Sequence, residues 1–224
     1  RGKEFVETGT FKGINAEFQS QFFEKVTTAE SNADYYLHTS RRLRKLDRNI
    51  DARFDQSDIF LKRFRSEYLH SQRKDIVLFF LDAHFYNPEA KTQKERWVVL
   101  GELESLHDFS NGIIMIHDFD VNGLGHLVYD NEHLDFDLVK DRLLKINSNF
   151  HFYGNREDQC KITVESELPI LGITDIQTAT ENLKYAWSRW EKTYRGILYA
   201  SPKSLDLNKY DLTEIKEDDC AGNY

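Results

Sequence analysis

Cysteine is scarce in this sequence: the chain of 224 residues has two, Cys160 and Cys220, which lie far apart and without the spacing of a metal site. Neither a disulfide framework nor a zinc knuckle is therefore indicated, and we expect a cytoplasmic protein of the reducing cytosol. Long apolar runs are also missing, because no stretch approaches the roughly 18 residues that a membrane-spanning helix needs. The sequence thus predicts no membrane association.

Positive charge is in deficit, with 30 lysines and arginines against 38 acidic residues and a net charge of −8. Proteins that bind nucleic acids through their phosphates usually present basic surfaces, so this balance argues against a nucleic-acid partner. The one basic cluster, at 41–48, alternates with leucines at helical spacing. We interpret it as the solvated face of a helix rather than as an RNA-binding or membrane-binding patch.

Proline is rare as well, at three residues, and neither a glycine- and serine-rich linker nor a repeated segment interrupts the chain. This uniformity predicts a single domain over residues 1–205. The polar and acidic residues 206–224 are expected to form a loosely held tail.

What the sequence does contain is a regular alternation of strand-like and helix-like segments. Strands are predicted at 4–8, 25–31, 49–55, 75–83 and 112–119. Each is followed by a stretch with helical periodicity, at 14–24, 33–46, 57–70, 95–107 and 135–147. Two more strand candidates, 149–155 and 194–201, are separated by a segment that holds the helix-like stretch 174–194. The pattern predicts an α/β fold, with a doubly wound, mostly parallel sheet of seven strands and helices on both faces.

A glycine-containing turn, "FVETGTFKG" at 5–13, follows the first strand. Gly9 would let the backbone reverse close to a ligand, and Gly13 would let the next helix pack tightly on the strand, while Glu7 ends the strand. The dinucleotide fingerprint needs glycines at the first, third and sixth positions, which this turn does not supply. A pyrophosphate cradle is therefore disfavoured, and with it a nicotinamide-dependent oxidoreductase.

A second acid, Glu30, ends the second strand about twenty residues further on, where a carboxylate can accept hydrogen bonds from the hydroxyls of a ribose. Together the turn and this acid indicate a ligand with a ribose and no diphosphate. The alternative is purely structural: Gly9 and Gly13 make a tight turn, and Glu30 caps a helix.

Acids and histidines also end the fourth and fifth predicted strands. Asp82 and His84 follow one apolar run, and His117, Asp118 and Asp120 follow the next. A buried carboxylate needs a partner, and Mg²⁺ prefers carboxylate oxygens, whereas a histidine ligand would allow Mn²⁺ or Fe²⁺. The alternative is that Asp82 and Asp118 cap helices or bind loop amides.

Several of these motifs resemble those of class I S-adenosylmethionine-dependent methyltransferases, especially the small-molecule O-methyltransferases of the macrocin and cephalosporin-hydroxylase type. "FVETGTFKG" is similar to the first motif of that family, and "VTTAES" to its second-strand motif. "FDQSDIFL" resembles the segment that lines the adenine pocket, and "FFLDAH" with "IIMIHDF" resembles the ends of the fourth and fifth strands. The resemblance covers about residues 4–130, and it implies a Rossmann-like methyltransferase fold.

The resemblance also implies site residues. Glu7, Gly9 and the backbone from Thr8 to Thr10 would lie near the methionine end of the cofactor. Glu30 would bind the ribose, and Gln56 and Ser57 would lie by the adenine. The full set of implied cofactor-binding residues is Glu7, Thr8, Gly9, Thr10, Gly13, Glu30, Ser31, Gln56 and Ser57. Phe11 departs from the family, because many methyltransferases have glycine there.

For the chemistry, the resemblance implies that Asp82 and Asp118 bind a divalent metal, Mg or Mn, that holds the acceptor hydroxyl. His117 stands where the family has the first acid of a pair. Asp82, His84 and His117 are the predicted catalytic residues, with either histidine able to take the proton directly or through water.

The sequence therefore predicts an enzyme that transfers a methyl group from S-adenosylmethionine to a hydroxyl of a small molecule or sugar. One alternative is a non-catalytic binding module that keeps the sheet, as Phe11 and His117 would allow. Another, less favoured, is a nicotinamide-dependent oxidoreductase. The oligomeric state is left open, with a homo-oligomer as one option.

Overall fold

A computed structural model describes residues 2–46, 49–84, 87, 89–120, 128–129, 132–154, 196–210 and 212–215 of the chain. The helix-like segment predicted at 174–194, both cysteines and residues 216–224 of the predicted tail lie outside the described residues. Within these ranges the longest helix has 14 residues, and no helix combines the length and apolar character needed to cross a bilayer.

The main sheet has eight strands, in the order β10-β8-β9-β5-β4-β1-β2-β3. Their bounds are β1 Gly2–Thr8, β2 Phe23–Glu30, β3 Ile50–Phe54, β4 Val77–Leu81, β5 Gly112–Phe119, β8 Phe150–Gly154, β9 Gly196–Pro202 and β10 Thr213–Glu214. Strands β1 to β5 are parallel to one another, and β9 runs antiparallel between β5 and β8. The predicted doubly wound, mostly parallel sheet is confirmed, with one short strand more than expected.

That additional strand, β10, comes from the segment that the sequence predicted to be a loose tail. Thr213 and Glu214 pair antiparallel with β8, and the amide of Ile215 donates to the carbonyl of Phe152. A separate two-stranded sheet, β6 Val128–Tyr129 and β7 Glu132–His133, follows β5.

Helices cover both faces of the sheet. Their bounds are α1 Ile14–Gln19, α2 Ala33–Arg44, α3 Ser57–His70, α4 Gln93–Arg96, α5 Val98–Ser105 and α6 Phe136–Ile146. On one face, Ala16 of α1 and Leu43 of α2 pack with Phe5 and Val26 of the strands. The larger part of the core lies on the other face, under α3, α5 and α6.

The two faces follow from the alternation of side chains along each strand. Phe5 of β1 belongs to the smaller cluster, and its neighbour Val6 belongs to the larger one. In the larger cluster Phe79 meets Phe64 and Phe109 edge to face, with ring centroids 5.7 and 5.0 Å apart. Each such buried aromatic side chain contributes roughly 2 kcal/mol of hydrophobic stabilisation.

The strand order reverses between β1 and β4, because the chain passes from β1 outward to β2 and β3 and then returns to the other side of β1. In parallel sheets ligands bind outside the carboxyl ends of the strands at such a reversal. The residues that end β1, β2, β4 and β5 therefore surround the candidate site.

Candidate functional site

Gly9 makes the turn after β1, with a left-handed φ of 78°. Its amide donates to the carbonyl of Ala29 at 3.0 Å, which ties the turn to β2. A Cβ at Gly9 would lie 2.3 Å from the carbonyl oxygen of Asp82. Gly9 therefore lets the turn after β1 pack closely against the end of β4.

Gly13, with a φ of 67°, precedes helix α1. A Cβ there would lie 2.5 Å from Cγ2 of Thr39 and 3.1 Å from Cδ1 of Leu43. We expected this glycine to bring the helix close to the strand, but the tight contact is with helix α2. Gly13 thus holds the turn against the second helix, which begins beside Glu30.

Phe11 also has a left-handed φ, of 46°, at the position where many methyltransferases have glycine. Hydrogen bonds fix the strained backbone on both sides: its amide donates to Oε2 of Glu30 at 2.8 Å, and its carbonyl accepts from Thr39 at 2.5 Å. Its half-exposed ring meets Tyr35 edge to face at 4.9 Å. These contacts hold Phe11 in a conformation that glycine would adopt without strain.

Glu7 ends β1 with its carboxylate buried. Thr28 donates to Oε2 at 2.6 Å and Asn15 donates to Oε1 at 2.7 Å. Burial raises the pKa of the Glu7 carboxyl to about 7, although these two hydrogen bonds favour the charged form. The negative charges of Asp82 and Glu30 raise that pKa further.

Glu30 ends β2 and is 8% exposed. Its two oxygens accept from the amides of Phe11 and Asn32, each at 2.8 Å. The N-cap of α2 is Asn32, whose side chain accepts from the amides of Asp34 and Tyr35. Each oxygen of Glu30 keeps a second lone pair, so the carboxylate can accept a further hydrogen bond while it braces the turn.

The predicted adenine-pocket residues lie at the start of α3. Gln56 is exposed at its N-cap, and Ser57 is buried below it. Phe54, which ends β3, exposes 56% of its surface and packs against Tyr36 with ring centroids 5.3 Å apart. An aromatic face is therefore open beside Gln56. Ser31, which is also among the predicted cofactor-binding residues, is exposed.

Asp82, His117 and Asp118 form a cluster at the ends of β4 and β5. Nδ1 of His117 lies 2.9 Å from Oδ1 of Asp82 and 3.3 Å from Oδ1 of Asp118. One ligand atom from each residue can be chosen so that all lie within 4.8 Å of one another. Asp118 has a left-handed φ of 54°, which turns its carboxylate toward the other two side chains.

His84 is held by the backbone. Its Nε2 lies 2.7 Å from the carbonyl oxygen of His117, and because a carbonyl only accepts, Nε2 carries the proton. Its Nδ1 is buried and has no hydrogen-bond partner within the described part of the chain. The structure thus brings all three predicted catalytic residues together and encloses both ring nitrogens of His84.

Glu102 of α5 is a buried acid beneath this cluster that the sequence reading missed. It is fully buried, and neither carboxylate oxygen makes a well-formed hydrogen bond to a described residue. Burial raises the pKa of its carboxyl, and nearby His84 partly opposes that shift, as do the hydroxyls of Thr8 and Ser57. The signal in the sequence was an acid inside the apolar helical run "VVLGEL".

Thr8 links the end of β1 to the end of β4. Its hydroxyl accepts from the amide of Asp82 at 3.2 Å, so the end of β1 is joined to the end of β4. Thr10 hydrogen bonds Thr28 at 2.7 Å, and Thr28 donates to Glu7. No pattern in the sequence pointed to Thr28 or Asn15, because both are ordinary residues of their elements.

No family model matches the sequence, and no curated protein is significantly similar to it. Among solved structures, the chain is similar to phosphoethanolamine N-methyltransferase 2 of Haemonchus contortus in complex with phosphomonomethylethanolamine and S-adenosylhomocysteine. The TM-score is 0.52 at 10% identity, over 90% of this chain and 49% of that one.

Two further structures are similar at lower scores. An rRNA methylase from Streptococcus thermophilus has a TM-score of 0.41 and 14% identity, over 90% of this chain and 87% of that one. A plantazolicin methyltransferase in complex with S-adenosylhomocysteine has a TM-score of 0.44 and 13% identity, over 89% and 76%. The narrower resemblance to the macrocin and cephalosporin-hydroxylase type stays a prediction. The strand order and the similarity to the Haemonchus contortus structure together show that this chain has the Rossmann-like methyltransferase fold.

Proposed function

We propose that the protein is an S-adenosylmethionine-dependent methyltransferase that acts on a hydroxyl of a small molecule or sugar. The observation that carries this proposal is the group of acids at the strand ends where the strand order reverses. Glu7 ends β1, Glu30 ends β2, and Asp82 follows β4. S-Adenosylmethionine carries a positive sulfonium and a positive ammonium group, which suit a site of this charge.

The proposed cofactor contacts follow the strand ends. Glu7 accepts from the ammonium group, and Glu30 accepts from the ribose hydroxyls with its remaining lone pairs. The adenine lies by Gln56 and Ser57, where the exposed ring of Phe54 offers a stacking surface. Ser31 lies beside the ribose, and the backbone from Thr8 to Thr10 lines the methionine end.

The same features disfavour a nicotinamide cofactor. A dinucleotide places its pyrophosphate on a glycine-rich turn at the start of a helix. Here Phe11 occupies the turn, α1 has six residues, and the acids Glu7 and Glu30 end the two strands that flank the turn. Negative charge at that place opposes a diphosphate.

Asp82, His117 and Asp118 would hold a divalent cation. Two carboxylates and one imidazole form a donor set that suits Mn²⁺ or Fe²⁺, and carboxylates with water suit Mg²⁺. Oδ1 of Asp118 is buried and makes no hydrogen bond to a described residue, as expected for an atom that awaits a further partner. Such a cation, when bound, lowers the pKa of an acceptor hydroxyl.

Calorimetry with S-adenosylhomocysteine and with NAD tests the cofactor assignment. We expect S-adenosylhomocysteine to bind and NAD not to bind. Glu30→Ala should weaken the affinity about 10- to 100-fold, because two hydrogen bonds to a charged acceptor are lost. The matched control is Glu24→Ala at the opposite end of β2, where Glu24 pairs with Lys3 in solvent. Binding of NAD alone, or of neither ligand, would contradict the proposal.

Titration with Mn²⁺, followed by its electron paramagnetic resonance signal, tests the cation site. Asp82→Asn and Asp118→Asn should each remove the bound signal, because each takes away a negative ligand. Asp137→Asn, on the exposed first turn of α6, is the control and should bind as the wild type does. A bound signal that persists in both site variants would place the cation elsewhere.

A further inference from the structure

Strand β3 is the last strand at one end of the main sheet. Among the described residues, it pairs with β2 on one side and with no strand on the other. The free edge of a strand presents N–H and C=O groups that a further strand can bind, and proline residues and bulges are common ways to prevent this. The five residues of β3 include no proline, and they pair with β2 in regular register. The edge is therefore open to strand pairing.

The hydrogen bonds at the two ends of β3 show which backbone groups face this edge. The carbonyl of Asn49 accepts from β2 at 2.9 Å, and the amide of Asp55 donates to β2 at 3.1 Å. Because the backbone groups of successive residues point to opposite sides of a strand, the odd-numbered residues of β3 face β2. The even-numbered residues therefore present their N–H and C=O groups at the free edge, and these are Ile50, Ala52 and Phe54.

A second copy of β3 fits this edge in an antiparallel arrangement with Ala52 opposite Ala52 across a two-fold axis. Ile50 of each copy then lies opposite Phe54 of the other. Every one of these pairs is of the hydrogen-bonded type, in which the two residues exchange both N–H to C=O bonds. The outward backbone groups of both copies are thus satisfied, and a β-branched side chain opposes an aromatic one, which is a favourable cross-strand pair.

The charges of β3 are complementary to themselves in the same arrangement. Asp51 and Arg53 lie on one face of the strand, where Nε of Arg53 donates to Oδ2 of Asp51 at 2.9 Å. Their side chains are 47% and 28% exposed. Across the two-fold axis Asp51 of one copy lies opposite Arg53 of the other, at the non-hydrogen-bonded positions where opposed side chains come closest. Charges of alternating sign therefore meet at the axis.

The same charges disfavour other registers. A shift of the second copy by two residues places either Asp51 opposite Asp51 or Arg53 opposite Arg53, and like charges directly opposite each other are destabilising. A shift by one residue places outward backbone groups opposite inward ones and exchanges the two faces of the strand. A parallel copy in register also sets like charges side by side. The charge pattern thus selects the symmetric antiparallel register.

The helices beside the free edge also present apolar side chains. Tyr36 of α2 packs on Phe54, and Arg63 of α3 pairs with Asp55 directly after β3. Strand pairing sets the α2 helices of the two copies beside each other on one face of the sheet, and the α3 helices on the other. Large exposed side chains that this would withdraw from water are Leu37 of α2 and Ile59 of α3, which are 47% and 40% exposed.

We propose that the protein forms a two-fold symmetric homodimer in which β3 of one copy pairs antiparallel with β3 of the other. The partner is a second copy of this chain, because the edge is complementary to itself in hydrogen bonding and in charge. One sheet then runs through both copies. The inference goes beyond the proposed function and does not rest on it. Phe54 is also the ring proposed to stack on adenine, so the test variants leave it unchanged.

Sedimentation equilibrium at protein concentrations from micromolar to submillimolar tests the proposal, and we expect the wild type to dimerise. Asp51→Arg and Arg53→Glu should each raise the Kd of the dimer at least about tenfold, because like charges then face each other on both sides of the axis. The double variant should dimerise as the wild type does, since it restores the alternation. Arg142→Glu is the control: its side chain is 29% exposed, and it lies on α6, which packs on β8 at the other end of the sheet.

A mixture of the two single variants gives the sharpest result. One chain then carries only positive charge at the edge and the other only negative, so native mass spectrometry should show a heterodimer and little of either homodimer. Circular dichroism checks that each variant is folded. If Arg53→Glu fails to fold, Asp51→Arg still decides, because it retains the contacts of Arg53 with Phe60 and Glu67.

Two outcomes would overturn the proposal. A wild-type protein that stays monomeric over the whole concentration range would show that the edge does not bind a second copy. A dimer with the same Kd in both single variants would place the interface on another surface.

Discussion

At the scale of single residues, the site depends on buried polar groups that satisfy one another. Thr28 donates to Glu7, so the short contact between Thr10 and Thr28 has Thr10 as its donor. The neighbouring Thr27 is equally buried, but its hydroxyl has no hydrogen-bond partner in the described ranges. Two adjacent threonines of one strand thus have opposite energetic roles.

Replacing each threonine by valine should separate these roles. Thr28→Val leaves a buried carboxylate oxygen without its donor and should lower the free energy of unfolding by about 1–3 kcal/mol. Thr27→Val removes an unpaired buried hydroxyl and should be neutral or stabilising. Urea denaturation at neutral pH measures both. Equal losses in the two variants would mean that Thr28 contributes shape alone.

Glu7 predicts a proton linkage in cofactor binding. Its pKa of about 7 leaves the carboxyl partly protonated near neutral pH. The proposed ammonium contact favours the charged carboxylate, so binding should release up to one proton, and affinity should rise as the pH increases through about 6 to 7. Calorimetry in buffers of different ionisation enthalpy counts the protons. Glu7→Gln should abolish the release, and an unchanged count would remove Glu7 from the ligand contact.

Sequence reasoning found Glu7, Gly9 and Glu30 because strand ends and glycine turns are local features. It brought forward Asp82, His117 and Asp118 in the same way, and the structure places them together. It missed Thr28, because that threonine acquires its role only through a neighbouring strand. The same holds for Glu102, which comes close to His84 and Thr8 from helix α5.

At the scale of elements, the site depends on where helices begin. Asn32 starts α2 by accepting from the amides of Asp34 and Tyr35 at 3.0 and 3.1 Å. Its own amide donates to Glu30, which in turn accepts from Phe11. The first turn of α2 and the turn after β1 are therefore joined through one carboxylate.

Removing the cap should destabilise the protein by a predictable amount. Asn32→Ala should lower the free energy of unfolding by about 1 kcal/mol, and Asn32→Asp should restore it, because aspartate is as good an N-cap as asparagine. Thermal denaturation of the three proteins measures the difference. If the aspartate variant were as unstable as the alanine variant, the side-chain acceptor would not be the stabilising group.

The sequence predicted which segments form helices and which form strands. Strand pairing and side-chain packing, in contrast, set the residues at which each helix and strand begins and ends. The helix expected at 14–24 stops at Gln19, because Phe23 already pairs with Gly2 as the first residue of β2. The helix expected at 95–107 divides into α4 and α5 at Trp97, which leaves helical geometry with a ψ of 83° and is fully buried. Neither pairing nor burial of that kind is visible in local periodicity.

At the scale of the whole molecule, two buried acids link stability to pH. Burial raises the pKa of Glu7 from its ordinary 4.5 to about 7, and it also raises the pKa of Glu102. The folded state therefore binds more protons than the unfolded state above pH 4.5. The stability that Glu7 contributes is fully present below pH 4.5 and is lost as the pH rises to about 7.

We expect the free energy of unfolding to fall across this range, with Glu7 accounting for about 3 kcal/mol of the decrease. Glu7→Gln and Glu102→Gln should each flatten the dependence, since glutamine does not titrate. Urea denaturation at a series of pH values between about 4.5 and 8 measures it. A wild-type slope that survives in Glu7→Gln would show that this carboxyl does not carry the linkage.

The sequence by itself determined the alternation of strands and helices, the doubly wound sheet and the strand ends at which acids collect. These features depend on short-range periodicity, which any local segment carries within it. Only the tertiary structure decided that Glu102 lies near His84 and Thr8, that His117 lies between Asp82 and Asp118, and that Asp120 faces His133. Strand order and crossover packing bring these side chains together from distant parts of the chain, and no local pattern encodes those distances.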